Sequence, residues 1–132
     1  MILSIWICDS AAYVFGLKWG SKKILPRVSP NKSWVGSIAG LLSAFFIFII
    51  FRSQGLLPNV SDIDILVLGL VTGFFGQVGD FAESLIKRDV GVKDSGTILL
   101  GHGGVLDRFD SIIFSSPLTY TYLTLFYFPK VY

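Results

Sequence analysis

The chain has 132 residues, of which 52% are hydrophobic, 15% aromatic and 15% charged, and its mean hydropathy is +0.68. Soluble domains carry about 25% charged residues, so this composition excludes a disordered chain, a basic nucleic-acid-binding domain and a disulfide scaffold, and points to an integral membrane protein. The net charge of +2 is uninformative as a total, and a single cysteine, Cys8, excludes an internal disulfide.

Four apolar stretches follow one another. The first runs from Met1 to about Phe15 and is interrupted by Asp9. It has neither the basic n-region nor the early cleavage site of a signal peptide. Because it reads like the middle of a membrane helix, the expectation is that the chain is part of something longer. The second stretch, Trp34 to Phe51, carries no charge and as a helix measures roughly 27 Å, close to the hydrocarbon thickness of a bilayer. The third begins near Ile63, stays apolar to Val78, and can continue as a helix past Asp80 to about Arg88. The fourth, Ser111 to Phe128, contains Pro117, where a kink is expected. Its Tyr and Phe residues suit an interfacial belt. The predicted fold is therefore all-α, a polytopic transmembrane bundle of three to four spans forming a single membrane domain over residues 1–132.

The connections differ in charge. The first holds Lys18, Lys22, Lys23, Arg27 and Lys32; the third holds Lys87, Arg88, Lys93 and Arg108. Alternating spans put both on one side, with nine of the 11 basic residues. The positive-inside rule makes that side cytoplasmic, in a cell inner membrane or an organellar one. Gly36 and Gly40, and Gly69, Gly73 and Gly76, stand at spacings that let helix backbones approach closely in lipid. Packing within one bundle is the expected use of these faces, and homodimerisation is the alternative.

The polar residues gather on the same side. Asp80 follows a long apolar run, where a carboxylate is costly and should meet a cation or a metal. If the helix continues, Asp80, Ser84, Lys87 and Arg88 share one face. That face reads equally as a functional surface and as an ordinary helix end with snorkelling cations. The segment Gly101–Asp110 is more informative: glycines surround His102, the only histidine, in a loop suited to anions. Asp107 and Asp110 can share a helical face and hold a divalent cation, or can simply complement a helix N-terminus. Carboxylates, a divalent cation and Lys or Arg side chains are the requirements of phosphoryl or nucleotidyl transfer. A Walker A motif, HExxH, CxxC and a nucleophile elbow are all absent.

The stretch SLIKRDVGVKDSGTILLGHGGVLDRFD, residues 84–110, resembles the signature of the phosphatidate cytidylyltransferases. The matching positions are Ser84, Lys87-Arg88, Lys93-Asp94, His102-Gly103-Gly104 and Asp107-Arg108-Phe109-Asp110. Upstream, CDSAAYVFGLKWG resembles the family segment containing an Asp and an Ala-Tyr pair, at Asp9, Ala12, Tyr13 and Gly16. SPNKSWVGSIAG is similar to its Ser-Pro-x-Lys segment, at Ser29, Pro30, Lys32, Ser33, Trp34 and Gly36. The likeness extends over essentially the whole chain. Two departures are Val35, where the family usually has Glu, and Leu100, where Pro is common.

The resemblance implies an Mg²⁺-dependent nucleotidyltransferase, in which a second cation is an option, working in a polar cavity at the cytoplasmic face. CTP and phosphatidate would give CDP-diacylglycerol and pyrophosphate, with membrane lipids as surroundings and no nucleic-acid partner. Asp80, Asp107 and Asp110 would centre the metal and, with Lys87 and His102, form the catalytic set. Asn31, Lys32, Ser84, Arg88, Lys93, Asp94, Gly103, Gly104 and Arg108 would bind substrate. Because family members carry further upstream spans, the chain is expected to be the C-terminal catalytic part of a longer transferase. The rival readings are a non-catalytic membrane remnant or partner subunit, and a CTP-dependent lipid or polyprenol kinase.

Overall fold

A computed structural model describes residues 1–57, 59–92 and 106–131, the side chains of 106–108 and 130–131 excepted. The described residues are helical, apart from short connections. Helix α1 spans Ile2–Trp19, α2 Trp34–Ser53, α3 Asp62–Leu70, α4 Gly76–Asp89, α5 Leu106–Tyr122 and α6 Phe128–Val131. A π-helical turn, Val71–Phe75, joins α3 to α4 without a break, and a second, Leu123–Tyr127, joins α5 to α6. Three helical runs are long and apolar enough to cross a membrane: Ile2–Trp19, Trp34–Ser53 and the 28-residue Asp62–Asp89. The third apolar stretch thus does continue past Asp80. The fourth is longer than its apolar core, because α5 already includes Asp107 and Asp110 and continues through Pro117.

Polar side chains set the helix ends. Ser33, in extended conformation, caps α2 by accepting from the Gly36 N–H at 3.2 Å. Ser61 caps α3 in a reciprocal capping box with Asp64. Asp64 is also the hub of a tertiary contact. It is fully buried and accepts a 2.5 Å hydrogen bond from the Tyr122 hydroxyl, which ties the far end of α5 to the start of α3. Asp62, by contrast, is exposed and pairs with Arg52 across the short second connection. Of the two aspartates in the first turn of α3, Asp64 is the one that joins the capping box.

Close approaches at small residues define the packing. A Cβ added at Gly40 would lie 2.9 Å from the Cys8 carbonyl and 3.1 Å from the Ala12 Cβ; one at Gly36 would collide with the Ala12 carbonyl. As the number rises on α2 it falls on α1, so the pair is antiparallel. Gly69 against Phe45 and Gly73 against Leu41 repeat this between α2 and the third run, and Gly79 against Asp110 and Phe114 repeats it between α4 and α5. The glycine faces are therefore used inside the bundle. Among the described residues, an apolar cluster of Phe48, Val60, Ile65, Leu68 and Tyr127 fills the end near the second connection. Ile38, Leu42, Phe46, Ile63 and Leu66 face outward, as lipid-facing positions should. The opposite end, where α2 and α5 begin and α1 and α4 finish, is polar.

Candidate active site

The first connection folds back on itself to deliver Lys32. An isolated antiparallel bridge joins Lys23 to Ser33, the Ile24 N–H donates to the Lys32 carbonyl at 3.1 Å, and the Trp34 N–H donates to the Lys22 carbonyl at 3.1 Å. The Ser33 cap then fixes the chain direction at the start of α2, one residue after Lys32. From this strap Lys32 Nζ reaches Asp80 on α4 at 2.5 Å and lies 4.0 Å from the centroid of the Phe81 ring. Both partners of the ion pair are partly shielded from solvent.

Asp80 stands among other acids. Asp110, in the second turn of α5, is nearly buried and accepts from the Ser111 N–H at 2.5 Å. Its carboxyl is hydrogen-bonded to that of Glu83, one turn beyond Asp80 on α4 and itself buried. Glu83 in turn pairs with Lys87 at 3.2 Å. Asp9 approaches from α1, close enough to interact electrostatically with Asp80, Asp110 and Lys32. Three helices, α1, α4 and α5, thus bring four carboxyl groups to the end of the bundle where the strap delivers Lys32.

Beside these groups lies a cavity of about 760 Å³, large enough for a nucleotide or a lipid headgroup. Asp9, Lys32, Asp80 and Asp110 line it, together with Asn31, Gln77, Tyr13 and Ser111. Buried carboxylates in excess of cations are costly at membrane depth, and carboxylate oxygens converging from several helices suit a hard divalent cation. Among the described residues, no group of three or more is gathered at metal-holding distances.

Of the residues singled out from sequence, Asn31, Lys32, Asp80 and Asp110 meet at this cavity. Ser84, Lys87 and Arg88 continue along α4 beyond its lining. Lys87 is engaged by Glu83, and Arg88 Nε donates to the Val28 carbonyl of the strap at 3.3 Å. Lys93, Asp94, His102, Gly103 and Gly104 lie outside the described residues, as do the side chains of Asp107 and Arg108. Sequence reasoning did not place Asp9, Tyr13, Gln77, Glu83 or Ser111 in the site. For Asp9 the signal was present: an ionisable residue in the middle of an apolar span is a functional candidate by default.

A family model for the cytidylyltransferase family matches residues 1–126. The chain belongs to the cytidylyltransferase family. It is 46% identical over 122 residues to the phosphatidate cytidylyltransferase of Bacillus subtilis (strain 168), an alignment covering 92% of this chain and 45% of that protein. Against the phosphatidate cytidylyltransferase of Haemophilus influenzae, identity is 40% over 131 residues, covering 97% of this chain and 44% of that one. The protein of the same name from Staphylococcus saprophyticus is 43% identical over 119 residues, covering 88% and 44% respectively. The chain thus spans a little under half the length of these relatives. Within this cytidylyltransferase-family chain, the matched region contains every residue of the acid-and-lysine cavity.

Proposed function

We propose that this chain carries the catalytic face of a phosphatidate cytidylyltransferase, with CTP and phosphatidate as substrates. The observation that supports this most is the cavity itself: Lys32 held by Asp80, with Asp9 and Asp110 beside them, in a chain of this family. In the reaction, a phosphate oxygen of phosphatidate attacks the α-phosphorus of CTP. The new P–O bond forms as the bond from the α-phosphorus to the bridging oxygen breaks, and pyrophosphate leaves with that oxygen. The attacking group is already an oxyanion, so no protein nucleophile is needed; positioning and charge neutralisation are what the site must supply.

Lys32 is suited to neutralise a phosphate, since its ammonium lies over the Phe81 ring and against Asp80 at the cavity wall. Asp80 and Asp110, with Asp107 from the first turn of α5, would hold Mg²⁺, and their oxygen donors fit that cation. When bound, the ion would neutralise phosphate oxygens. Ser84, Lys87, Arg88, Lys93, Asp94, His102, Gly103, Gly104 and Arg108 are the remaining candidates for holding phosphates. In the sequence, nine of 11 basic residues fall in or beside the first and third connections, which favours a cytoplasmic orientation, the side on which CTP is found. The test is product analysis in membranes carrying the chain. CDP-diacylglycerol and pyrophosphate support the reading; release of CDP with a phosphorylated lipid would instead make the protein a kinase.

A further inference from the structure

Gln77 lies one turn before Asp80 on α4 and lines the same cavity. Its amide is anchored by other helices. Nε2 donates to the Ser37 carbonyl of α2 at 3.0 Å and lies 3.7 Å from the Cys8 Sγ of α1. The thiol is itself committed as a donor to the Gly73 carbonyl at 3.8 Å, which leaves its sulfur free to accept from Gln77. Both amide protons therefore have fixed acceptors, and the O and N ends of the planar amide cannot exchange roles without losing both contacts. Among the described residues no hydrogen bond reaches Oε1, so the polar atom left to the cavity is an acceptor. The π turn at Val71–Phe75 ends two positions before this residue. Such a turn inserts an extra residue into the helical register and so sets which α4 side chains face the cavity.

A fixed acceptor selects ligands by what they donate. The cavity also carries large aromatic surfaces on one face of α1, Trp6 and Tyr13 at i and i+7, both more than half exposed, as a base-stacking platform requires. Cytosine presents a 4-amino donor where uracil presents a carbonyl oxygen. We infer that Gln77 is a specificity-determining residue that accepts a hydrogen bond from the 4-amino group of the cytosine base, so that the site takes CTP and rejects UTP. This rests on the cytidylyltransferase reading above and extends it to the base. Against an oxo base, Oε1 would face another acceptor, leaving two partly desolvated oxygens unpaired, which is the arrangement that gives large discrimination.

The experiment compares kcat/KM for CTP and UTP in the reconstituted full chain and in Gln77→Met, which keeps the length and removes the acceptor. The ratio within each protein does not depend on how much of it is folded. The expected result is a CTP preference of about 100-fold or more in the unmodified chain, falling to within about tenfold in the variant. Cys8→Ala, which releases one of the two amide anchors, should give an intermediate ratio. If Gln77→Met shows no turnover, direct titration of CTP and UTP binding to the two proteins gives the same ratio. An undiminished CTP preference in Gln77→Met overturns the inference and leaves the transferase reading intact. Absence of any liponucleotide from the unmodified chain, with no binding of CTP, overturns both.

Discussion

The crossing of α4 and α5 places Asp110 in the cavity, and one methyl group tests how tightly. In Gly79→Ala the new Cβ would lie 2.8 Å from the Asp110 carbonyl oxygen and 2.9 Å from the Phe114 Cβ, where ordinary contact begins at 3.4 Å. Backbone and a Cβ cannot swing aside as the end of a long side chain can, so α5 must retreat by about 0.6 Å. Overpacking of this kind costs about 1–3 kcal/mol, offset by about 1 kcal/mol from replacing glycine within a helix. Net destabilisation should be about 0–2 kcal/mol. The effect on turnover should be larger in proportion: a 1 Å misplacement of a catalytic group costs about 100-fold, so a shift of this size should cost on the order of tenfold. Gly76→Ala, one turn earlier on the same helix, is the control. Its Cβ would meet Ser111 at 3.7 Å and Ile5 at 4.0 Å, ordinary distances. It should retain activity within about twofold and gain up to about 1 kcal/mol. Liponucleotide synthesis in membranes and thermal unfolding in detergent read the two effects separately. If both variants lose activity alike, or neither does, the α4–α5 crossing does not set the position of Asp110.

Two further substitutions probe the two ends of the bundle. Tyr122→Phe removes the hydroxyl that donates to the fully buried Asp64 and should destabilise by about 1.5–3 kcal/mol, while Tyr120→Phe, at an exposed ring, should be silent in the same denaturation assay. Lys32→Met removes the cation facing Asp80; if Lys32 neutralises phosphate as proposed, kcat/KM for CTP should fall by at least about tenfold, with Lys32→Arg recovering part of it because charge is kept while the point-charge geometry is not. Equal activity in Lys32→Met and the unmodified chain would remove Lys32 from the site.

The helices were legible from hydropathy because a bilayer-spanning run needs length and apolarity more than any particular neighbour, and Trp34–Ser53 appears almost as expected. The extent of the third run was less so. Its apolar signal fades after Val78, yet the helix persists to Asp89, because Asp80 and Glu83 find partners on the strap, on α5 and one turn along α4. The π turn carries no sequence mark of its own; it occurs where Gly73 packs on Leu41 and Ala44, a contact made only in the assembled bundle. In the site, the spacing of Asp107 and Asp110 and the placement of Asp80 could be read locally. The meeting of Lys32 with Asp80, 48 positions apart, could not, and it was the family resemblance that put both in one site. Glu83 was one acid among nine, and only packing against Asp110 distinguishes it. Gln77 had no signal at all, since its role depends on where its amide is anchored by α1 and α2.

The most direct test of the account is the product made from CTP and phosphatidate by membranes containing this chain, with Mg²⁺ present and after chelation, for the unmodified chain and for Asp107→Asn. CDP-diacylglycerol and pyrophosphate are expected in equal amounts, lost on chelation, restored by added Mg²⁺, and absent from a normally expressed Asp107→Asn variant. Synthesis that survives chelation and the Asp107 substitution, or CDP in place of pyrophosphate, would contradict it.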